Sequence, residues 1–580
     1  MPREYAAEEN ARVADLLDEI GDLLELKGEN VFRAVTYRAA AREIRDLREP
    51  IRTIYEAGHL STIPKVGSSV GEAIAQYLQG GKAKRHEELK AAVPEGLLTL
   101  LRVKGVGPAT ARLIHQHLRI TTIDELEQAA KDGRLRTLPK IQARTEENIL
   151  RSIASLRQRT GRSLISHARI AAERMIAHLG AAADAPEISV CGSLRRWKET
   201  IGDIDLLVAS DAAAPIMAAF TGAPNVERVL AHGETKSSVL VERGLQIDLR
   251  VVPAASWGAA LLYFTGSKEH NVRLRGYALR KKLTLNEYGL YRVGEEQGRP
   301  VAGRTEEEIY AALGMDWIPP ELREDHGEID AALAHRLPAL VTVGDLRGDL
   351  HAHSDWTDGR DSLGDMCRRA RDKGYAYIAI TDHSVGLGMT NGLNLERIAA
   401  RTKEIAKLNR ELAPFRVLIG TELEIRADGR LDYPDEVLAQ FEIVTASIHS
   451  SFDQPRERIT DRIVGAMRHP LVTAISHPTG RLLERRDPYD VDLDVVIAEA
   501  VRTGTRLEVN GGPERLDLPD WAVRKAVEAG ATLNIDSDAH AVEELDWTEY
   551  GVATARRGWA TAERVGNTRD LAAVLQRKVR

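Results

Sequence analysis

The chain has only two cysteines, Cys191 and Cys367, in 580 residues. They cannot make a disulfide framework, which suits a reducing compartment. No apolar run approaches the ~20 residues that a membrane span needs. The start, MPREYAAEENARVADLL, has acidic and polar residues where a secretory signal would need an apolar stretch. A cytoplasmic protein is expected. Positive net charge is missing too: the balance is −7, which counts mildly against a nucleic-acid binder. Carboxylates that hold catalytic cations enter that sum as negative charge, so local patches carry more weight. Two basic stretches are LRGYALRKK (Leu274–Lys282) and RQRTGR (Arg157–Arg162), each of which also reads as a solvated helix face. Low-complexity sequence is absent. What is present, 43% hydrophobic and 29% charged residues, is ordinary for a globular chain, and the length suits three or four domains.

Residues 1 to about 160 are helical in pattern, without strand-like alternation. Two segments there resemble each other: STIPKVGSSVGEAIAQYL (Ser61–Leu78) and LLRVKGVGPATARLIHQHL (Leu100–Leu118). Each is a short apolar helix end, a turn of the form x-V-G and a second helix. A weaker third copy, RTLPKIQARTEENILRSI (Arg136–Ile153), has lost the glycines. Glycine lets the backbone approach closely, and the helix that follows presents free N–H groups to a phosphate. Gly67, Gly105 and Gly107 are therefore candidate DNA-backbone contacts, similar to those of helix-hairpin-helix elements, which grip DNA without reading sequence. From about Pro186 the chain turns strand-rich, through EISVCGSLRR, GDIDLLVAS, SSVLVERGLQIDLRVVP and LTLNEYGLY. A linker is expected from Trp317-Ile318-Pro319-Pro320-Glu321 onward. After Leu346 short apolar strands alternate with helical segments to the end.

Asp203 and Asp205 flank Ile204 inside an apolar run. In a strand, residues i and i+2 face one side, so both carboxylates point the same way. They repel unless cations sit between them. Asp248, in LQIDLRVV, is a third carboxylate in an apolar strand. Three acids on neighbouring strands could hold two Mg²⁺ ions, one activating an attacking oxygen and one steadying triphosphate oxygens. Upstream, CGSLRR places Gly192, Ser193 and Arg196 at a strand-to-helix turn suited to phosphate binding by N–H, hydroxyl and guanidinium. A D-x-D pair alone reads first as solubilising residues on an edge strand. The whole constellation favours chemistry.

The stretch from Gly192 to Glu287 resembles a family X DNA polymerase of the polymerase beta kind, and the match continues through YFTGSKEHNVRLR (Tyr263–Arg275) and NEYGL (Asn286–Leu290). The resemblance covers about residues 1 to 320. It implies a sugar pocket lined by Tyr263, Phe264 and Gly266, with Asn271 meeting the edge of the incoming base. It also places Arg275 in the template minor groove and Arg250 beside the third aspartate. One position departs from the pattern. The family lysine that forms a Schiff base with a 5′-deoxyribose phosphate falls on Ala73, with Ser69 at the neighbouring lysine position, and Lys65 is out of register. Lyase chemistry by that route is not expected, since it needs the amine. Arg33 and Tyr37 match positions near a 5′-phosphate.

Seven histidines follow Leu346, and six of them sit where an apolar strand ends: GDLHAH, IAITDHS, TASIHS, TAISHP and NIDSDAH. A single such histidine is usually a satisfied core residue. Six at strand termini are instead what a barrel-like βα fold gathers as ligands at one end. Imidazole with carboxylate and no thiolate suits Zn²⁺, Mn²⁺ or Fe²⁺. The set resembles the PHP (polymerase and histidinol phosphatase) family, with its HxH, DH, GxE, SxH, SHP and DxH motifs. That resemblance implies nine ligands for up to three ions: His351, His353, Asp358, His383, Glu422, His449, His477, Asp538 and His540. Glu422 would be the bridging acid, with Glu424 as its nearby rival.

The expected fold class is multidomain α and α/β: a helical helix-hairpin-helix N-terminal region, a nucleotidyltransferase palm and fingers (α+β), and a C-terminal PHP (β/α)7 barrel. The expected boundaries are 1–90 and 91–160 for two helix-hairpin-helix domains, 161–260 for the palm, 261–320 for the nucleotide- and template-binding part, 321–345 for the linker and 346–580 for the PHP domain. Together the resemblances imply a bacterial-type gap-filling repair polymerase with a 3′→5′ exonuclease, extending to blocked 3′ ends or abasic sites. Its polymerase site would use two Mg²⁺ or Mn²⁺ ions, and its PHP site Mn²⁺ or Zn²⁺. The expected partners are gapped or nicked DNA and dNTPs, with no membrane, and the expected state is a monomer. The alternatives are a polymerase fused to a small-molecule phosphatase like histidinol phosphatase, or a non-enzymatic DNA-end scaffold.

Overall fold

The computed structural model describes residues 3–576 except 30, 46, 48, 95, 104, 140, 160, 183–186 and 387–389. The chain divides into two compact units, Met1–Thr160 and Gly161–Arg580. The first is all-helical. One apolar core runs through it from Val13 to Ile153, so no core boundary falls at the expected 90/91 division. Its long helices Arg3–Lys27 and Val31–Arg45 are tied by Arg38, which reaches Asp22 and Glu25 at 2.7 Å each. The two x-V-G turns have the same backbone. The left-handed position is Lys65 (φ 66°) in the first and Gly105 (φ 92°) in the second. Gly67 and Gly107 then start the helices Ser68–Gly80 and Pro108–Leu118, neither of which has a side-chain cap. Both turns are exposed, so their first-turn N–H groups are open to an outside acceptor.

The second unit begins with short β1 (Ser163–Leu164), which pairs with β3 (Thr200–Ile201). Its first large sheet has five strands in the order β2 (Glu187–Val190), β4 (Asp203–Ala209), β7 (Leu245–Val252), β6 (Lys236–Val241), β5 (Val226–His232). Only β4 and β7 are parallel. Ile204, Leu206 and Val208 bury one face against the helices Ile165–Ala182 and Ala213–Thr221, which leaves the odd positions 203 and 205 on the other. The strand β5 went unread in the sequence because its residues VERVLAH lie on an exposed edge and carry no buried alternation. A hairpin of β8 (Leu283–Asn286) and β9 (Gly289–Arg292) follows, turning at Glu287 and Tyr288.

The segment 321–345 is not a linker. Arg323 and Glu328 are fully buried, Leu322 and Ile329 join the core beneath the hairpin, and Glu328–Leu333 is helical. The polar spelling misleads because these charges are paired inside the protein.

Seven parallel strands then follow in chain order: β10 (Gly348–Ala352), β11 (Tyr377–Ile380), β12 (Arg416–Glu424), β13 (Ile443–Ser447), β14 (Ala474–Ile475), β15 (Arg506–Asn510) and β16 (Leu533–Asp536). The last strand returns to the first: His353 N donates to Ala539 O at 2.8 Å and Asp538 N to His351 O at 2.9 Å. The result is a nearly closed (β/α)7 barrel whose strands are buried almost throughout, as parallel strands covered by helices must be. Its core lies between strands and surrounding helices. Every strand's C-terminal end therefore opens on one face.

Candidate active sites

The parallel register of β4 and β7 sets Asp205 directly beside Asp248, with Asp203 one pleat away on the same face. Burial, then Asp203 and Asp248, push the Asp205 carboxyl up to about 7. Such a group favours a cation or a proton. Asp248 takes a hydrogen bond from Gln246 Nε2 (2.7 Å) and faces Lys236 Nζ (3.4 Å). Gly192 starts the helical turn Gly192–Arg195 at φ +57°, and a Cβ there would sit 2.3 Å from Asp205 Oδ2. Cys191 N donates to Asp205 O at 2.7 Å. The CGSLRR turn is thus stitched against the acid strand, and only glycine fits where it crosses.

Both arginines of that turn are held from below. Arg195 makes a paired contact with Glu306 (2.7 and 2.9 Å), which also receives Arg323 (2.6 and 2.9 Å) and Trp317 Nε1 (3.1 Å). Burial alone would raise the Glu306 carboxyl, but Arg323 and Arg195 hold it well below the ordinary range. Arg196 sets its Nε 3.1 Å from Glu324 Oε1 and donates to Thr265 O. Tyr263 and Phe264 pack edge to face at 5.1 Å, and Arg250 stacks 4.5 Å over Phe264. Gly266 (φ +70°) ends their helix, and Asn271 Nδ2 donates to Tyr263 O at 2.7 Å. Asn271 and exposed Arg275 stand one turn apart on the helix Lys268–Arg280, which also carries most of the LRGYALRKK patch. Of the RQRTGR patch, the side chains at 157–160 lie outside the described residues.

The barrel end gathers all nine expected ligands. Three groups of them bring ligand atoms within 4.8 Å of one another: His353, Asp358, His383 and His540; His351, His353 and Asp538; His383, Glu422 and His449. Among the described residues no such group forms at Asp203, Asp205 and Asp248. The Glu422 carboxylate faces five imidazoles. One oxygen lies 2.9 Å from His477 Nε2 and 3.3 Å from His449 Nε2; the other lies 3.1 Å from His383 Nδ1 and 3.5 Å from both His351 and His353 Nε2. Its two oxygens thus face different imidazoles. The rival Glu424 stands behind, accepting from His449 Nδ1 at 3.0 Å and from Ser450 Oγ at 2.7 Å.

The donor set fits divalent cations. The buried Nδ1 atoms of His353 and His477 have no hydrogen-bond partner, and His351 Nε2 faces His353 Nε2 at 3.2 Å. Burial and neighbouring charge lower His353 to about 4 and His477 to about 3, which keeps both neutral and able to donate a lone pair. His449 and His540 move the other way, to about 9: burial opposes, but Glu422 and Asp358 respectively outweigh it. Seventh-histidine His469 is elsewhere, at a helix end 3.2 Å from Asp435.

Sequence reasoning missed the residues behind the ligands. Glu508 accepts from His351 Nδ1 at 2.6 Å, leaving Nε2 for the centre, and Asn510 donates to Asp538 Oδ2 at 3.0 Å. Such partners fix tautomer and ring orientation. The signal was there: Glu508 and Asn510 stand at i and i+2 in an apolar strand, as Asp203 and Asp205 do. Arg515 Nε lies 3.4 Å from Asp538 and was also unread.

In the first unit, Arg33, Tyr37, Ser69 and Ala73 meet at one cavity of about 440 Å³, together with Lys84 and Arg85. Tyr37 Oη donates to Ser69 O at 3.4 Å.

Four segments match family models: a helix-hairpin-helix domain over 8–83, a SAM-like helix-hairpin-helix tandem over 97–155, the DNA polymerase beta thumb over 260–324 and a PHP domain over 349–482. With the aspartate sheet and the histidine-rich barrel end, they define the class: a polymerase beta-like nucleotidyltransferase joined to a PHP phosphoesterase. The chain is 38% identical over 558 residues to the DNA polymerase/3′-5′ exonuclease PolX of Bacillus subtilis (strain 168), covering 96% of this chain and 97% of that one. It belongs to the PolX family, the family X DNA polymerases that carry a PHP domain. It is also 23% identical over 346 residues to rat DNA polymerase lambda, covering 54% of this chain and 56% of that one. Over 231 residues it is 28% identical to a probable phosphatase of Thermoanaerobacter sp. (strain X514), covering 38% of this chain and 85% of that one.

Proposed function

We propose that this chain fills short gaps in DNA with one site and hydrolyses 3′ ends with the other. The observation that carries the reading is the pair of separate acid-lined centres, one on a sheet beside the glycine-led CGSLRR turn and one at a barrel end. At the first, Asp203, Asp205 and Asp248 hold two Mg²⁺ or Mn²⁺ ions. Gly192, Ser193 and Arg196 take the triphosphate, Tyr263, Phe264 and Gly266 shape the sugar pocket, and Asn271 meets the base. Arg275 enters the template minor groove and Arg250 meets DNA beside Asp248, while Gly67, Gly105, Gly107, Arg33 and Tyr37 hold the DNA backbone and the 5′ side of the gap. At the second, the nine ligands hold up to three Mn²⁺ or Zn²⁺ ions. Bound divalent cations would supply a hydroxide near neutral pH and stabilise phosphoryl charge. The chain's own part is to fix the ligand set: Glu508 and Glu424 orient His351 and His449, and Glu422 sits among five imidazoles.

The chain acts in the cytoplasm as a monomer, on gapped or nicked DNA with dNTPs; no helix among the described residues is long and apolar enough to cross a membrane. Base excision repair is the setting that suits short gaps, and abasic sites and blocked 3′ ends are further substrates of the barrel. Asp205→Ala abolishes primer extension and spares hydrolysis, and His353→Ala does the reverse. Loss of both activities from either change would contradict separate centres. The barrel's likeness to a probable phosphatase supports a second reading, a small-molecule phosphatase. Faster hydrolysis of a small phosphomonoester than of primer 3′ ends would favour it.

A further inference from the structure

The helix Thr548–Arg557 belongs to the barrel, yet its last two residues reach out of it. Arg556 Nε lies 2.7 Å from Glu321 and its NH1 donates to Val341 O at 3.0 Å. Arg557, 4% exposed, is anchored on the barrel by Asp520, with Nε at 2.9 Å and NH2 at 2.7 Å. Its NH1 donates in two directions, to the carbonyl of Arg196 at 2.6 Å and to Glu324 Oε1 at 3.1 Å. The same Glu324 oxygen lies 3.1 Å from Arg196 Nε. One carboxylate oxygen thus joins a barrel arginine to an arginine of the nucleotide turn, and the barrel arginine also holds that turn's backbone.

This fixes Arg196 at two points while leaving it donors to spare. Its Nε and NH1 are used by Glu324 and Thr265 O, and its NH2 makes no hydrogen bond among the described residues. A planar guanidinium held through Nε and NH1 has its plane and the direction of its NH2 fixed, which sets how it meets a phosphate oxygen. Glu324 alone would be a poor anchor. It sits on an irregular segment just after the turn Pro320–Leu322, and beside Arg196 its nearest other cations are Arg557 at 3.1 Å and half-exposed Lys198 at 3.9 Å. Arg557 is the closer of the two and holds it from a helix packed on the barrel, a more rigid support than a loop.

We propose that the barrel is a working part of the nucleotide pocket: Arg557 is a positioning residue that sets Arg196 for the incoming triphosphate, through Glu324 and through the carbonyl of Arg196. The proposal rests on the reading of Arg196 as a triphosphate ligand. It gives the PHP domain a role in synthesis that is independent of its hydrolytic centre.

The test is single-nucleotide insertion on a gapped duplex by the full chain, comparing wild type, Arg557→Gln, Arg196→Ala and the double variant. Arg557→Gln should raise the KM for dNTP about tenfold and move kcat by less than about threefold, as loss of a supporting partner does. Exonuclease on the same duplex should stay within about twofold, and Arg196→Ala should raise KM at least as far, with the double variant no worse than Arg196→Ala alone. A merely structural role would add to the Arg196 loss instead, and an additive double variant or an unchanged KM in Arg557→Gln overturns the proposal. Should Arg557→Gln lose exonuclease through misfolding, Glu324→Gln runs the same cycle from the other side of the pair, with the same expected rise and the same overturning results. If Arg196→Ala itself leaves KM unchanged, the underlying reading of Arg196 fails and takes the proposal with it. A rise for Arg196→Ala with none for Arg557→Gln or Glu324→Gln sinks the proposal alone.

Discussion

Asp205 is the most perturbed of the three carboxyls on the acid-bearing sheet. Burial and two acid neighbours bring its titration to about 7, so in that range a proton and a cation compete for it. The Mg²⁺ concentration for half-maximal extension should therefore rise as pH falls from 8 to 6, by up to about tenfold per unit once Asp205 binds its proton. A Mg²⁺ requirement that is flat over that range would contradict the raised carboxyl. Gly192 is the second residue of consequence. A side chain there meets Asp205 Oδ2 at 2.3 Å on a backbone at φ +57°. Gly192→Ala should cut extension by about 100-fold through displacement of the acid, in line with what small misplacements cost, while exonuclease is unchanged. Near-normal extension by this variant would mean that Asp205 moves freely.

At the scale of elements, the buried cluster beneath the nucleotide turn is an example of charge where burial is complete. Glu306 ties Arg195, Arg323 and Trp317 together. Removing one partner of such a set leaves unpaired buried charge, at about 3–5 kcal/mol. Glu306→Gln should lower the thermal unfolding temperature of the unit Gly161–Arg580, as followed by calorimetry, and a change of less than a degree would contradict the cluster's importance. The carboxyl lies well below the ordinary range in the folded state, so its contribution is complete above the usual carboxylate titration. It falls away progressively as pH drops below the ordinary carboxylate range and is gone once pH passes the depressed value in strong acid.

The same cluster shows why sequence reading failed here and succeeded elsewhere. The strand ends carrying HxH, GxE and DxH were legible because apolar runs stop abruptly at residues with no apolar reason to be there. Asp203 and Asp205 were legible from period-two spacing, but that Asp248 lies beside Asp205 is a fact of register between strands some forty residues apart. Arg323 and Glu328 look like solvent residues next to a Pro-Pro pair, and only the fold shows that they are buried. Glu508, Asn510 and Arg557 act through partners far away in the chain, a relation that local spacing does not encode.

For the whole molecule, one chain of a family that pairs polymerase with 3′-5′ exonuclease carries two separate acid-lined centres, one on a sheet and one at a barrel end. The centres share no ligand, so their balance on a primer should follow nucleotide supply. The most direct measurement is a labelled gapped duplex incubated with the full chain and divalent metal, with and without dNTPs, for wild type, Asp205→Ala and His353→Ala. The account predicts that wild type shortens the primer without dNTPs and fills the gap with them, that Asp205→Ala only shortens it, and that His353→Ala only extends it. Both activities vanishing together in either variant, or a primer that neither grows nor shrinks with wild type, would contradict it.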